Sequence, residues 1–433
     1  MADITVSNFK TDNGTAGSVT VIDGGGRNES SRLGFRGVED IGGGMGAAFW
    51  FEAGVNYDNG TGANTTTSNT AYGDRIAFNQ TTTPVVPTAT LNARQGLTFN
   101  RASNISLLSK DLGEIRVGRD YNPAFWNYTY FDPFGTVGVG SALNVIGGPL
   151  APLGVQAFPP GAAYPMVRTS NSIGWLSNDI SGFRLQVQAA LSEQPTGCVT
   201  PETAIQANTC AGANGDGKLL AWRLQYNSGP LSLALSSSQT TYGDTAAQAA
   251  ATTAVTFGTI TTTPSAGTAT TTIGASTAAA PFANAAAYRG NYTQTNWAGA
   301  YTMGATKFFY QGGSQVNDVN GAAVKRQLSN SMVGIAHTMG ALTLKGSYNT
   351  ATRKDDSGTA SEDGAKTTQT AVGAVYDLSK RTALFGTYSV NKLTAGAATA
   401  GSLRATVGVF GDALTAGNSA TATGIDIGIR HRF

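Results

Sequence analysis

From Phe183 to Leu191 the apolar Phe183, Leu185, Val187, Ala189 and Leu191 alternate with Arg184, Gln186 and Gln188. The same two-residue period sets Leu220, Trp222, Leu224 and Tyr226 against Ala221, Arg223 and Gln225, and Leu342, Leu344 and Tyr348 against Thr343, Lys345 and Ser347. Successive side chains of a strand point to opposite faces, so each stretch predicts a strand with one apolar and one polar face. The last ten residues repeat the pattern, with Ile425, Ile427, Ile429, His431 and Phe433 on one side and Gly424, Asp426, Gly428, Arg430 and Arg432 on the other. About sixteen such segments follow one another along the chain. Short turns join them in pairs, at Ser177-Asn178-Asp179, Asn227-Ser228-Gly229-Pro230, Met303-Gly304, Met339-Gly340 and Asp377-Leu378-Ser379-Lys380. Long loops separate the pairs, notably 58–98, 120–166, 242–293 (an Ala/Thr low-complexity tract) and 391–422.

Sorting of short turns and long loops by parity is the mark of an up-and-down barrel with two unlike rims. A soluble sandwich has no reason to sort them. It also fills its inward positions with Val, Leu and Phe, whereas the non-apolar face here carries Arg, Gln, Lys, Ser and Glu throughout. An apolar outer face on strands of about ten residues suits a bilayer core, and sixteen strands enclose a space too wide for side chains to fill. The expected fold is therefore all-β, a 16-stranded antiparallel transmembrane barrel forming one domain over 1–433, with a water-filled interior.

Composition agrees by exclusion. Among 433 residues only 12% are charged, and mean hydropathy is −0.10. No run approaches the ~18 apolar residues of a membrane-spanning helix. A net charge of +2, with no basic runs interleaved with aromatics, argues against nucleic acid as a partner. Met1-Ala2-Asp3-Ile4 has no charged segment leading into an apolar core, so the chain is expected to be a mature exported form restarted at Met1. The two histidines, His337 and His431, lie on separate strands, and no Gly-x-Ser-x-Gly elbow occurs. Gly212 to Lys218 nearly spells a P-loop, but Leu219 stands where Ser or Thr is required. Asp355, Asp356, Glu362 and Asp363 fit a solvated loop better than a calcium site. No enzyme activity, cofactor or metal is expected.

Parity places Arg32, Arg36, Arg116, Arg168, Arg184, Arg223, Lys345, Arg430 and Arg432 on the inner face, against Glu52, Glu114 and Asp426. A narrow passage lined by one sign of charge concentrates the opposite ion, so an anion preference is expected. Cys198 and Cys210 share one long loop, and in an oxidising compartment they are expected to pair and stiffen it.

Ser31-Arg32-Leu33-Gly34-Phe35-Arg36-Gly37-Val38-Glu39-Asp40, Gly113-Glu114-Ile115-Arg116-Val117-Gly118-Arg119-Asp120 and the Phe-terminated end resemble the trimeric diffusion porins of Gram-negative outer membranes, above all the beta-proteobacterial anion-selective type. The first strand departs from that pattern, with Ser7-Asn8-Phe9 in place of an aromatic-Gly pair. The resemblance implies a homotrimer in outer-membrane lipid and lipopolysaccharide, passing small anionic solutes by passive diffusion. It implies that Phe433 is a signal for the barrel-insertion machinery. It also implies that the third long loop, about 120–166, folds inward as a constriction. Arg32, Arg101 and Arg168 match the basic cluster opposite that loop, with Glu52 and Asp132 as acidic partners. Arg36, Arg116, Arg184 and Arg223 would be further lumen charges. Arg101 shares parity with Ile105 and Leu107, so an inward Arg101 requires a local break in the alternation.

Overall fold

A computed structural model describes residues 1–11, 17–62, 97–146, 167–192, 217–242, 260–262, 269–271, 290–319, 325–355, 363–394, 404–407, 410–413 and 419–433. Cys198 and Cys210 lie outside the described residues, as do Asp356 and Glu362. The strands are β1 (Ala2–Thr11), β2 (Ser18–Asp23), β3 (Arg32–Gly42), β4 (Met45–Asn56), β5 (Thr61–Gly62), β6 (Ala102–Ser109), β7 (Gly113–Tyr121), β8 (Arg168–Leu176), β9 (Phe183–Ala190), β10 (Lys218–Ser228) and β11 (Leu231–Tyr242). After a small hairpin, β12 (Ile260–Thr262) and β13 (Ala269–Thr271), come β14 (Gly290–Met303), β15 (Thr306–Val319), β16 (Arg326–Met339), β17 (Leu342–Asp355), β18 (Lys366–Asp377) and β19 (Thr382–Thr394). A second hairpin, β20 (Arg404–Val407) and β21 (Phe410–Ala413), precedes β22 (Ser419–His431). Two short helices, α1 (Pro123–Tyr130) and α2 (Leu143–Ile146), both fall in the third long loop.

Eighteen of the strands form one sheet, and every pairing in it is antiparallel. The last strand returns to the first, from Ala2 opposite His431 to Thr11 opposite Ala422, so the sheet closes on itself. Closure leaves no row of unpaired amides facing lipid, which is the condition for crossing a bilayer with strands. No helix is long and apolar enough to cross a membrane among the described residues.

One irregularity interrupts the wall. β2 pairs with β1, breaks off at Asp23, and the descending chain resumes at Arg32, where Met1 and Arg32 exchange both main-chain hydrogen bonds at 2.9 and 3.1 Å. The excursion between them is held by Asp3, whose carboxylate accepts from the amides of Arg27, Asn28 and Glu29 at 3.2, 2.9 and 2.9 Å. The alternation read from the sequence is otherwise the alternation of the wall. In β22, Ile427 is 63% exposed while Asp426 is fully buried. In β1, Asp3, Thr5, Ser7 and Phe9 point inward and Ile4 and Val6 outward. Phe35, Trp175, Phe183, Trp222, Trp297, Tyr310, Tyr348 and Tyr388 are on the exposed face. Aromatics in that position suit the girdles of a lipid-facing wall. The tight turns are two-residue links in which Gly304 and Gly340 take φ of 58° and 60°, a region that glycine enters without cost.

The described part of the third long loop, residues 122–146, runs inside the barrel. Pro123 and the Asn122 side chain, which accepts from Ala124 N at 2.9 Å, start α1 at the end of β7. The loop then follows the wall, bonded to inward side chains strand by strand. Asn122 donates to Ser238 at 2.8 Å, and Asn127 to Ser236 and Asn296 at 3.1 and 2.7 Å. Gln311 donates to Phe131 O at 3.3 Å, Gln315 to Ile146 O at 3.3 Å and Gln369 to Val139 O at 3.1 Å. On the last strand, Asp426 accepts from Val139 N at 2.8 Å and from Ser7 Oγ at 2.6 Å. Buried loop backbone needs partners. Asn296, Gln311, Gln315, Gln369 and Asp426 supply them, while Ser236 and Ser238 hold the loop's asparagine side chains, which explains why those positions are polar yet buried. Apolar anchors complete the seat: Phe131 packs with Ala298, Ala300, Phe309 and Met332, and Val139 and Val145 pack with Phe9 and Leu328.

Candidate functional site

The wall not covered by the loop is formed by β3, β4, β6, β7 and β8, and it carries Arg32, Arg36, Arg116 and Arg168. At its upper end Glu52 sits among three arginines. Arg101 Nε donates to Glu52 Oε1 at 2.7 Å, and Arg32 Nε lies 3.6 Å from Oε2. Tyr121 joins them: its hydroxyl donates to Glu52 Oε1 at 3.1 Å and accepts from Arg101 Nη2 at 2.8 Å and Arg168 Nη2 at 3.4 Å. The Arg168 guanidinium also stands 4.9 Å from the centre of the Tyr121 ring. One carboxylate thus faces three permanent positive charges. Arg101 reaches inward because it precedes β6 in a bend, where its amide bonds Glu52 O at 3.0 Å, so the strand's alternation has not yet begun. A register shift between Gly118 and Asp120 makes the matching adjustment on β7.

Asp132 is not in this group. Its carboxylate accepts from the amides of Phe134, Thr136 and Ala142 at 2.8, 3.1 and 2.9 Å, closing a turn of its own loop. Burial pushes its pKa up to about 6, against the pull of those three amides and of the Lys345 charge. The expected partnership of Asp132 with the arginines is therefore corrected: a loop folded tightly enough to need internal support uses its acid on itself.

Below the cluster, a cavity of about 1020 Å³ lies between the wall and the underside of α1. The expected lumen residues Arg36, Arg116, Arg184 and Arg223 all line it, together with Lys110 and Lys307, against the acids Glu114 and Asp179. Arg116 pairs with Glu114 and Asp120 at 2.6 and 3.0 Å, and Arg184 with Asp179 at 3.3 Å. Arg36 and Arg223 have no acid partner among the described residues. Arg36 lies 3.9 Å from the centre of the Trp50 ring, and Arg223 Nε donates to Asn127 Oδ1 at 2.6 Å. Arg430 and Arg432, also assigned inward by parity, are instead matched by Glu29 of the 24–31 excursion, Arg430 at 2.9 Å. Exposed Phe433 ends the chain beyond β22, its ring 6.4 Å from that of His431, whose Nδ1 shares a hydrogen bond with Thr382 Oγ1 at 3.0 Å.

Tyr121, Glu29 and Asp3 were not foreseen as site residues. Tyr121 had no signal in the alternation, which counted from Arg116 puts it outward with Ile115 and Val117; the register shift between Gly118 and Asp120 turns it toward Glu52. Glu29 had none, because the excursion that carries it follows no period.

A closed antiparallel barrel with a greasy outside, a polar inside and a loop folded through its middle is the architecture of an outer-membrane barrel. Residues 1–396 match the Gram-negative porin family, and the chain belongs to that family. Membership of that family makes it a protein of the outer membrane. Outer membrane porin protein 32 of Delftia acidovorans is 27% identical over 210 residues, 48% of this chain and 44% of that protein. The chain spans about half the length of the curated relatives it matches. An anion-selective porin from Comamonas acidovorans has the same fold, with a TM-score of 0.66 at 23% identity over 100% of this chain and 97% of that one. So does a trimer form of OmpT, an outer membrane protein of Vibrio cholerae, with a TM-score of 0.52 at 10% identity over 99% of this chain and 98% of that one.

Proposed function

We propose that the chain forms a passive, anion-preferring diffusion channel for ions and small hydrophilic solutes, narrowed by the third loop opposite Arg32, Arg101 and Arg168. The observation that carries this reading is the imbalance of charge along the passage: three arginines around the single Glu52, then six bases against two acids among the residues lining the cavity below. In a water-filled passage such charges act by screened attraction and not by stripping the ion of water. The anion-selective relative from Comamonas acidovorans supports the preference. Reversal potentials across a planar bilayer under a KCl gradient test it. Chloride preference that weakens with salt is expected, and a cation-selective reversal potential refutes it.

The same reading takes the working unit as a homotrimer, supported by the trimeric relative, in lipid and lipopolysaccharide. Chemical crosslinking in native outer membranes tests that assembly, and a ladder stopping at the monomer refutes it.

A further inference from the structure

Four aromatic rings run in sequence along the passage. Trp50 on the wall lies 5.7 Å from Tyr121, Tyr121 lies 4.8 Å from Trp126, and Trp126 stacks on Tyr130 at 5.1 Å with 14° between the planes. Trp126 and Tyr130 are one helical turn apart on α1, so the helix presents them side by side. Trp50, Trp126 and Tyr130 line the cavity.

Screening alone does not call for this run. Ring faces carry negative potential and repel chloride, and they displace wall groups that would hydrate an ion. They do provide flat apolar area for a flat apolar solute. Beside them stands a buried cation that needs an anion. Arg223 is 7% exposed, lies 5.5 Å from the centre of the Tyr130 ring, and leaves Nη2 without a partner while Nε bonds Asn127. A buried guanidinium donor left unmatched is costly, and a carboxylate is the group that matches it in geometry and charge. At the other end, Arg36 lies over Trp50, also without an acid.

We infer that this cavity is a binding site for aromatic carboxylates, with the ring of the solute on Trp126 and Tyr130 and its carboxylate on Arg223. The site rests on the channel reading above and deepens it: anions at large would pass, and planar aromatic acids would dwell. An anion with charge but no ring meets half of the site, and a neutral ring meets the other half.

The test is chloride current through single channels in a bilayer, titrated with benzoate, cyclohexanecarboxylate and acetate, with the KCl reversal potential measured on the same membrane. Saturable block by benzoate is expected, at half-blocking concentrations about three- to tenfold below those of cyclohexanecarboxylate. Trp126→Leu and Tyr130→Leu should abolish that difference, and Arg223→Gln should weaken both acids. Quenching of tryptophan fluorescence by benzoate in the detergent-solubilised wild-type protein, saturating over the same range, gives a readout independent of any variant. Unsaturable block, or equal block by the planar and the saturated ring, overturns the site while an anion-selective reversal potential leaves the channel reading standing. A sealed or cation-selective barrel overturns both.

Discussion

Replacing Glu52 by Gln removes the one acid from the arginine cluster and tests whether that cluster sets selectivity. The amide keeps an oxygen for Arg101 Nε and the Tyr121 hydroxyl, which bond Glu52 Oε1 at 2.7 and 3.1 Å, so the packing survives. Net charge at the cluster rises from two positive charges to three. An ion about 7 Å away, one hydration layer beyond the carboxylate, feels about 0.6 kcal/mol in water, cut by screening at 0.1 M to about 0.3 kcal/mol. The change is opposite for chloride and potassium, so their permeability ratio should move about threefold further toward chloride. At 1 M, where the Debye length is about 3 Å, the same change should fall to about 1.2-fold. Reversal potentials at the two salt concentrations measure both values. An unchanged or reduced chloride preference at 0.1 M, or an effect independent of salt, refutes control by screened charge at Glu52.

The complementary change, Arg168→Ala, should lower chloride preference at 0.1 M by a similar factor of about three, and an unchanged reversal potential removes Arg168 from the ion path. Asp426→Ala deletes the acceptor of both Val139 N and Ser7 Oγ. Each charge-assisted bond contributes about 1.5–3 kcal/mol, so the loop should come loose from the last strand and open-channel current noise should rise. Quiet, wild-type traces would show that the tether does not hold the loop. Asp132 makes the loop sensitive to pH. Its folded pKa of about 6 is raised above the unfolded value, so its contribution to stability is fullest below about pH 4 and is lost as pH rises through about 6. The difference in thermal midpoint between wild type and Asp132→Asn should therefore change between pH 4 and 7 and level off above 7; a constant difference rules this out.

The wall was legible before any coordinates because its physics is local. Alternation of side chains along a strand follows from backbone geometry, so Ile427 outside and Asp426 inside could be read from order alone. The same parity put Arg32, Arg36, Arg116, Arg184 and Arg223 on the lumen side, and the structure brings Arg32, Arg101 and Arg168 around Glu52. Reading failed where the period stops. Arg101 sits in a bend, Asp132 turns back on its own loop, and Glu29 arrives from an excursion that interrupts the second wall strand.

The order of residues by itself determined a closed, lipid-facing barrel with a wet basic interior, since two-residue periodicity and turn lengths are enough to say which side chains meet lipid and which meet water. Only the tertiary structure decided which charges neutralise each other and which rings line the passage. Those pairings join residues far apart in the chain, such as Arg430 with Glu29 and Arg101 with Glu52, through contacts that no local pattern encodes.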